Sequence, residues 1–107
     1  MGLDVSIEAV VTTDVFSDYV THNLDRMAEA AGIYQYLWRP EELNITTAGE
    51  LIVPLTEGLE KLKSNPEYYQ TFQATNGWGT YDGFLRFVEN YLENCRRFPE
   101  GKIRVSR

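Results

Sequence analysis

Cysteine, histidine and long apolar runs are all scarce in this chain. One cysteine, Cys95, among 107 residues excludes an internal disulfide, and with it the stapled frameworks of small secreted domains. The apolar runs are only a few residues long, as at Ala9-Val10-Val11, far short of the ~20 needed to span a bilayer. Asp4 and Glu8 interrupt the N-terminal region where a secretory signal needs its apolar centre. The expectation is a protein of a reducing cytoplasm with no membrane association. The single histidine is His22. No internal repeat, linker or low-complexity stretch divides the chain, and its length suits one domain over residues 1–107.

Positive charge is also in short supply. Ten Lys and Arg stand against sixteen Asp and Glu, for a net charge of −6. The imbalance is concentrated: residues 1–83 hold 13 acidic and 4 basic side chains, whereas residues 84–107 hold 3 acidic and 6 basic. An acidic surface repels nucleic acid and anionic lipid, so neither is an expected partner. Hydrophobic residues at 43% and charged residues at 24% are ordinary for a folded globular domain and too balanced for disorder.

What is present is periodic. Residues 3–11 alternate, with Leu3, Val5, Ile7, Ala9 and Val11 on one side and Asp4, Ser6 and Glu8 on the other, which reads as a half-buried strand. Residues 102–106 repeat this on a small scale, Ile103 and Val105 inward. Pairing of the two would place Arg104 beside Asp4 or Glu8. Between them the pattern is helical. Leu24, Met27, Ala28 and Ala31 form a stripe that ends at Gly32, and Ile33 to Trp38 a short helix that Pro40 stops. Thr47 and Glu50 have capping-box spacing ahead of Leu51, Ile52, Leu55, Leu59 and Leu62, with Pro54 forcing a kink or a later start. Asn65-Pro66-Glu67 reads as the cap, first-turn proline and acid of a further helix. Thr80 opens the last helix, lined by Phe84, Val88, Tyr91, Leu92 and Cys95 and closed by Arg96-Arg97. The expected fold is α+β: four or five helices packed on a small two-stranded ribbon of the N- and C-terminal strands.

Three polar-aromatic clusters fall between these stripes, where binding groups tend to sit: Thr21-His22-Asn23, Leu37-Trp38-Arg39-Pro40-Glu41-Glu42 and Asn76-Gly77-Trp78-Gly79-Thr80-Tyr81. An imidazole's unperturbed pKa lies near neutrality, which suits His22 to ligand contact, although Thr21 or Asn23 as a helix cap, with His22 bonded to nearby backbone, explains the segment too. Trp38 and Trp78, with Arg39 nearby, offer stacking faces and a cation for a planar, anionic molecule. Against this, both indoles could seal the core and Arg39 pair with Glu41 or Glu42. Asn76-Gly77-Trp78-Gly79 lacks a phosphate-loop pattern but places N–H groups at a helix start. Asp14, Asp18 and His22 recur every four residues. A helix would converge them on a divalent ion, whereas a strand would spread each interval over roughly 13 Å; Val15, Phe16, Tyr19 and Val20 favour the strand.

The opening Met1-Gly2-Leu3-Asp4, the segments Thr21-His22-Asn23-Leu24, Leu37-Trp38-Arg39-Pro40-Glu41-Glu42 and Asn76-Gly77-Trp78-Gly79-Thr80-Tyr81, and the closing Val105-Ser106-Arg107 resemble a family of short uncharacterised proteins of tailed bacteriophages and bacterial genomes. The resemblance carries no activity. It implies an accessory protein working in the bacterial cytoplasm, where small phage proteins counter host defence by sequestering a nucleotide-derived signal or blocking a host protein.

The sequence reading is therefore a non-catalytic binding protein for a small anionic or nucleotide-like molecule. Its site is expected from His22, Asn23, Trp38, Arg39, Asn76, Trp78 and Tyr81, with no cofactor and no metal. The alternative is an acidic inhibitor that binds a host protein through residues 1–83, and a homo-oligomer is compatible with either. A small metal-dependent hydrolase using Asp14, Asp18 and His22 is the third reading.

Overall fold

The N-terminal alternation builds the central strand of the sheet. In the computed structural model, which describes residues 2–8, 14–73 and 77–107, β1 spans Gly2–Glu8. Leu3, Val5 and Ile7 are buried while Asp4 stays exposed. The further alternation expected at Ala9 and Val11 lies outside the described residues. β2 runs over Asp14–Thr21 and β3 over Lys102–Ser106.

The terminal strands pair as their patterns require. β1 and β3 are antiparallel, with Val5 opposite Val105 and Ile7 opposite Ile103. Arg104 donates to Glu8 Oε2 at 2.7 Å, the cross-strand pair expected from the sequence. The expected two-stranded ribbon is in fact three-stranded, in the order β2-β1-β3. Val15, Phe16, Tyr19 and Val20 put the 14–21 segment in the extended state, and a lone two-stranded ribbon is marginal in water. The third strand gives β1 a partner on each side, Val5 facing Asp18 and Ile7 facing Phe16.

Among the described residues, five α-helices follow the apolar stripes. A single 3-10 turn at His22–Leu24 leads into α1, Asp25–Ala30. Gly32, at φ 77°, ends it: the Gly32 N–H reaches Glu29 O at 3.0 Å and the Ile33 N–H reaches Ala28 O at 2.9 Å. This paired closure needs a left-handed residue, which glycine adopts without a Cβ penalty. α2 is Tyr34–Trp38, halted before Pro40.

A 3-10 turn at Ala48–Leu51 precedes α3, Ile52–Ser64. Pro54 thus lies in its first turn, where its missing N–H costs nothing. The Thr47 hydroxyl donates to the Glu50 carboxylate at 3.0 Å and caps no backbone N–H, while the Glu50 N–H donates to Thr47 O at 3.2 Å. α4, Pro66–Gln70, starts with proline as expected, but the Asn65 side chain makes no cap bond. α5 is Tyr81–Arg97, and its Thr80 cap accepts from the Gly83 N–H at 3.0 Å. Among the described residues, no helix is long and apolar enough to cross a membrane.

The core gathers the inner face of the sheet and the stripes of α1, α3 and α5. The α5 residues Phe84, Val88, Tyr91, Leu92 and Cys95 are all buried. Phe16 of β2 stacks on Tyr91, centroids 5.8 Å apart, which fixes α5 against β2. Burial pushes the Cys95 thiol up to about 12, so it stays protonated and inert at neutral pH.

The Tyr91 hydroxyl is buried without a hydrogen-bond partner among the described residues, and burial raises its pKa far above the ordinary phenol value. A buried donor left unmade costs about 1–3 kcal/mol. Tyr91→Phe keeps the ring contacts and removes that cost. It should leave the fold intact and raise the midpoint of urea unfolding; a lowered midpoint would mean that the hydroxyl has a stabilising partner.

Candidate functional site

The described residues of the three polar-aromatic clusters sit where the chain passes from one packed element to the next. At the end of β2, Thr21 Oγ1 accepts from the Asn23 N–H at 3.4 Å. That bond turns the chain into the 3-10 segment and brings His22 against α2. There Trp38 Nε1–H donates to His22 Nδ1 at 2.8 Å. This bond places the neutral imidazole proton on Nε2 and occupies the lone pair that a general base would use.

Trp38 itself is 1% exposed. One face lies on Tyr34, centroids 5.3 Å apart and nearly parallel, and its carbonyl accepts from Arg107 Nη1 at 2.6 Å. Its ring is therefore packed inside the molecule. Arg39 sits 3.5 Å from Glu42, and a hydrogen bond with Tyr34 raises its already high pKa. A hydrogen bond to its own backbone, followed by Arg107, holds the Glu41 carboxyl below its usual range. Arg107, not singled out by the sequence beyond its place in the closing tripeptide, thus ties the C-terminal strand to the Trp38 segment.

The third cluster touches the first. Asn23 Nδ2 donates to the Trp78 carbonyl at 3.1 Å, and the backbone at Gly79 lies against Thr21 and Leu24. The Trp78 ring is 69% exposed. Tyr81 is buried, its hydroxyl donating to Leu62 O at 2.6 Å and its N–H to Gln73 Oε1 at 2.7 Å. Asn76 lies outside the described residues. His22-Asn23 is thus the junction joining the other two clusters. Of the expected contact residues, Trp38 and Tyr81 serve the core, while Asn23, Trp78 and the half-buried His22 and Arg39 reach the surface.

A groove lies elsewhere, on the outer face of the sheet. It encloses about 560 Å³ and is lined by Asp4, Ser6, Asp14, Asp18, Tyr19 and Arg104, among others. This face follows from the strand alternation: Asp4 faces Tyr19 and Ser6 faces Ser17 and Arg104, opposite in direction to Leu3, Val5 and Ile7. Tyr19 is half exposed and lies across Gly2, where a Cβ would collide with its ring. Asp4 and Asp14 lie on this face with Arg104, which Glu8 already engages, and Asp18, opposite Val5, reaches the groove at the edge of β2. A smaller groove of about 240 Å³ separates β2 from α5 and shares Asp18 and Tyr19 with it, adding Gly83, Arg86, Phe87 and Asn90. The sequence signal for both was the polar half of the period-two pattern, which reads equally well as a solvated face.

Asp14 and Asp18 lie along an extended strand, as the β-branched and aromatic content predicts. Among the described residues, no group of three or more His, Cys, Asp and Glu is gathered for a metal. Neither a protein-family model, nor a curated protein, nor a solved structure matches the chain.

Proposed function

We propose that this protein acts by binding another protein through the outer face of its sheet, without chemistry of its own. The observation that carries this reading is the acidic groove over β1 and β2, with Asp4, Asp14 and Asp18 around the half-exposed ring of Tyr19. An aromatic contact surface ringed by like charges suits a basic protein patch, which the charge also steers and orients. In the phage setting implied by the sequence motifs, that partner is a host protein and the outcome is its inhibition.

A sponge for a nucleotide-derived signal has less support. It needs two indole faces and a cation, but Trp38 is packed against Tyr34 and Arg39 stands beside Glu42. The acidic groove on the sheet would repel an anion.

The Asp4→Lys, Asp14→Lys double variant should bind the partner captured from host-cell extract at least about tenfold more weakly, with wild-type binding itself weakening as salt screens the charges. Trp78→Ala and Arg39→Ala should bind as wild type does. If those two variants lose binding while the lysine variant keeps it, and nucleotides raise the melting temperature of the wild type, the small-molecule reading replaces this one.

A further inference from the structure

The two edges of the sheet are treated differently by the rest of the chain. Along β3, the Ile103 N–H donates to Thr46 O at 3.0 Å and the Ala48 N–H donates to Gly101 O at 2.9 Å. That edge is covered by the segment before α3. These bonds also fix the direction of every ladder. Ile103 turns its backbone groups away from β1, so Lys102, Arg104 and Ser106 bond to Glu8, Ser6 and Asp4 opposite them. The alternate residues Leu3, Val5 and Ile7 must then bond to Val20, Asp18 and Phe16 of β2. Ser17 and Tyr19 are left with N–H and C=O directed outward. The Tyr19 N–H accordingly takes Oδ1 of Asp18 at 2.8 Å. Among the described residues, no backbone group pairs with this side of β2.

We propose that the outer edge of β2 takes an extended segment of the partner as a fourth strand, with lysine or arginine at its outward-facing alternate positions. This rests on the protein-binding reading and specifies how the contact is made. An edge strand with unpaired backbone groups is a template for strand addition, and charge selects what adds. Side chains on the outward face of the new strand lie beside Ser17 and Tyr19, over the groove of Asp4, Asp14 and Asp18. The one cation there, Arg104, is held by Glu8.

Side chains on the inward face meet the groove between β2 and α5. The exposed Arg86 of α5 lines that groove and disfavours a second cation. The segment is therefore basic at every second position rather than basic throughout. Docking is an exchange: a carbonyl of the incoming strand takes the Tyr19 N–H, and the released Asp18 carboxylate turns to water at the strand edge. Both hydrogen-bonding groups stay satisfied.

The test uses a short synthetic peptide alternating lysine and valine, with hydrogen exchange of the Ser17 and Tyr19 amides as readout. The peptide should slow exchange of the Tyr19 amide at least about tenfold, the mark of a hydrogen bond that opens less often. A glutamate–valine peptide should have no effect. Peptides N-methylated at every second residue should bind in one phase and fail in the other, because only one set of amides faces β2. Asp18→Asn, which keeps the Oδ1 acceptor and removes the charge, should weaken binding severalfold.

If both N-methylated phases bind like the parent, strand addition is wrong while the sheet-face reading stands. If the lysine peptide binds no better than the glutamate peptide, both fail. Concentration-dependent protection of the same amides without peptide would assign the edge to a second copy of this chain, and would overturn the proposal too.

Discussion

Removal of residues 102–107 should lower the melting temperature by roughly 10 °C or more, or abolish a cooperative transition altogether. The loss has three parts. β1 loses the partner on one side, and with it the backbone pairing of Asp4, Ser6 and Glu8. The apolar side chains of Ile103 and Val105 leave the core margin. Arg107, which ties the chain end to the Trp38 carbonyl and Glu41, goes with them, and the Thr46 carbonyl loses its donor. The remaining two strands form the kind of ribbon that is marginal in water. Circular dichroism of the truncated chain against the full one decides the matter. An unchanged melting temperature would mean that the helices hold β1 in place without β3.

Phe84→Ala should cost about 3–5 kcal/mol, the usual range for emptying a buried aromatic site. Phe84 is fully buried, and it stacks with Phe87 at 6.3 Å between centroids. Neighbours in a helix packed between β2 and α3 have little freedom to fill the space. Glu93 is exposed on the same helix, so Glu93→Ala should change stability by no more than about 0.5 kcal/mol. Glu89→Ala removes the partner of Lys63, 3.0 Å away, an exposed pair worth about 0.2–1 kcal/mol. Urea denaturation of the three variants ranks them. Equal costs for Phe84 and Glu93 would show that the buried face of α5 has been misread.

Tyr91→Phe and Phe84→Ala act on the α5 side that supports β2. A change there that leaves the fold intact should leave exchange at Tyr19 governed by the edge itself rather than by global opening.

Local rules settled much of the architecture. Period-two alternation marked β1 and β3 and even their contact, since Arg104 must sit near Glu8 once Ile103 and Val105 turn inward. Gly32, Pro40, Pro54 and Thr80 placed helix boundaries, because each acts through its own backbone geometry or a partner a few residues away. The face of α5 was legible because one stripe buries against one core.

What the sequence left open depended on partners distant in the chain. The extended state of residues 14–21 was visible, but its place beside β1 required a pairing partner that local pattern does not name. Trp38 could read as a stacking surface or as a core residue. Only the fold, by setting Tyr34 and His22 against its ring, decided for burial. Tyr81 was decided in the same way by the Leu62 carbonyl. Asp4, Asp14 and Asp18 looked like separate solvated acids. Pairing turns Asp4 and Asp14 to one side of the sheet while Asp18, opposite Val5, reaches the same groove along the edge of β2, a relation set by register and strand order rather than by any residue's own propensity.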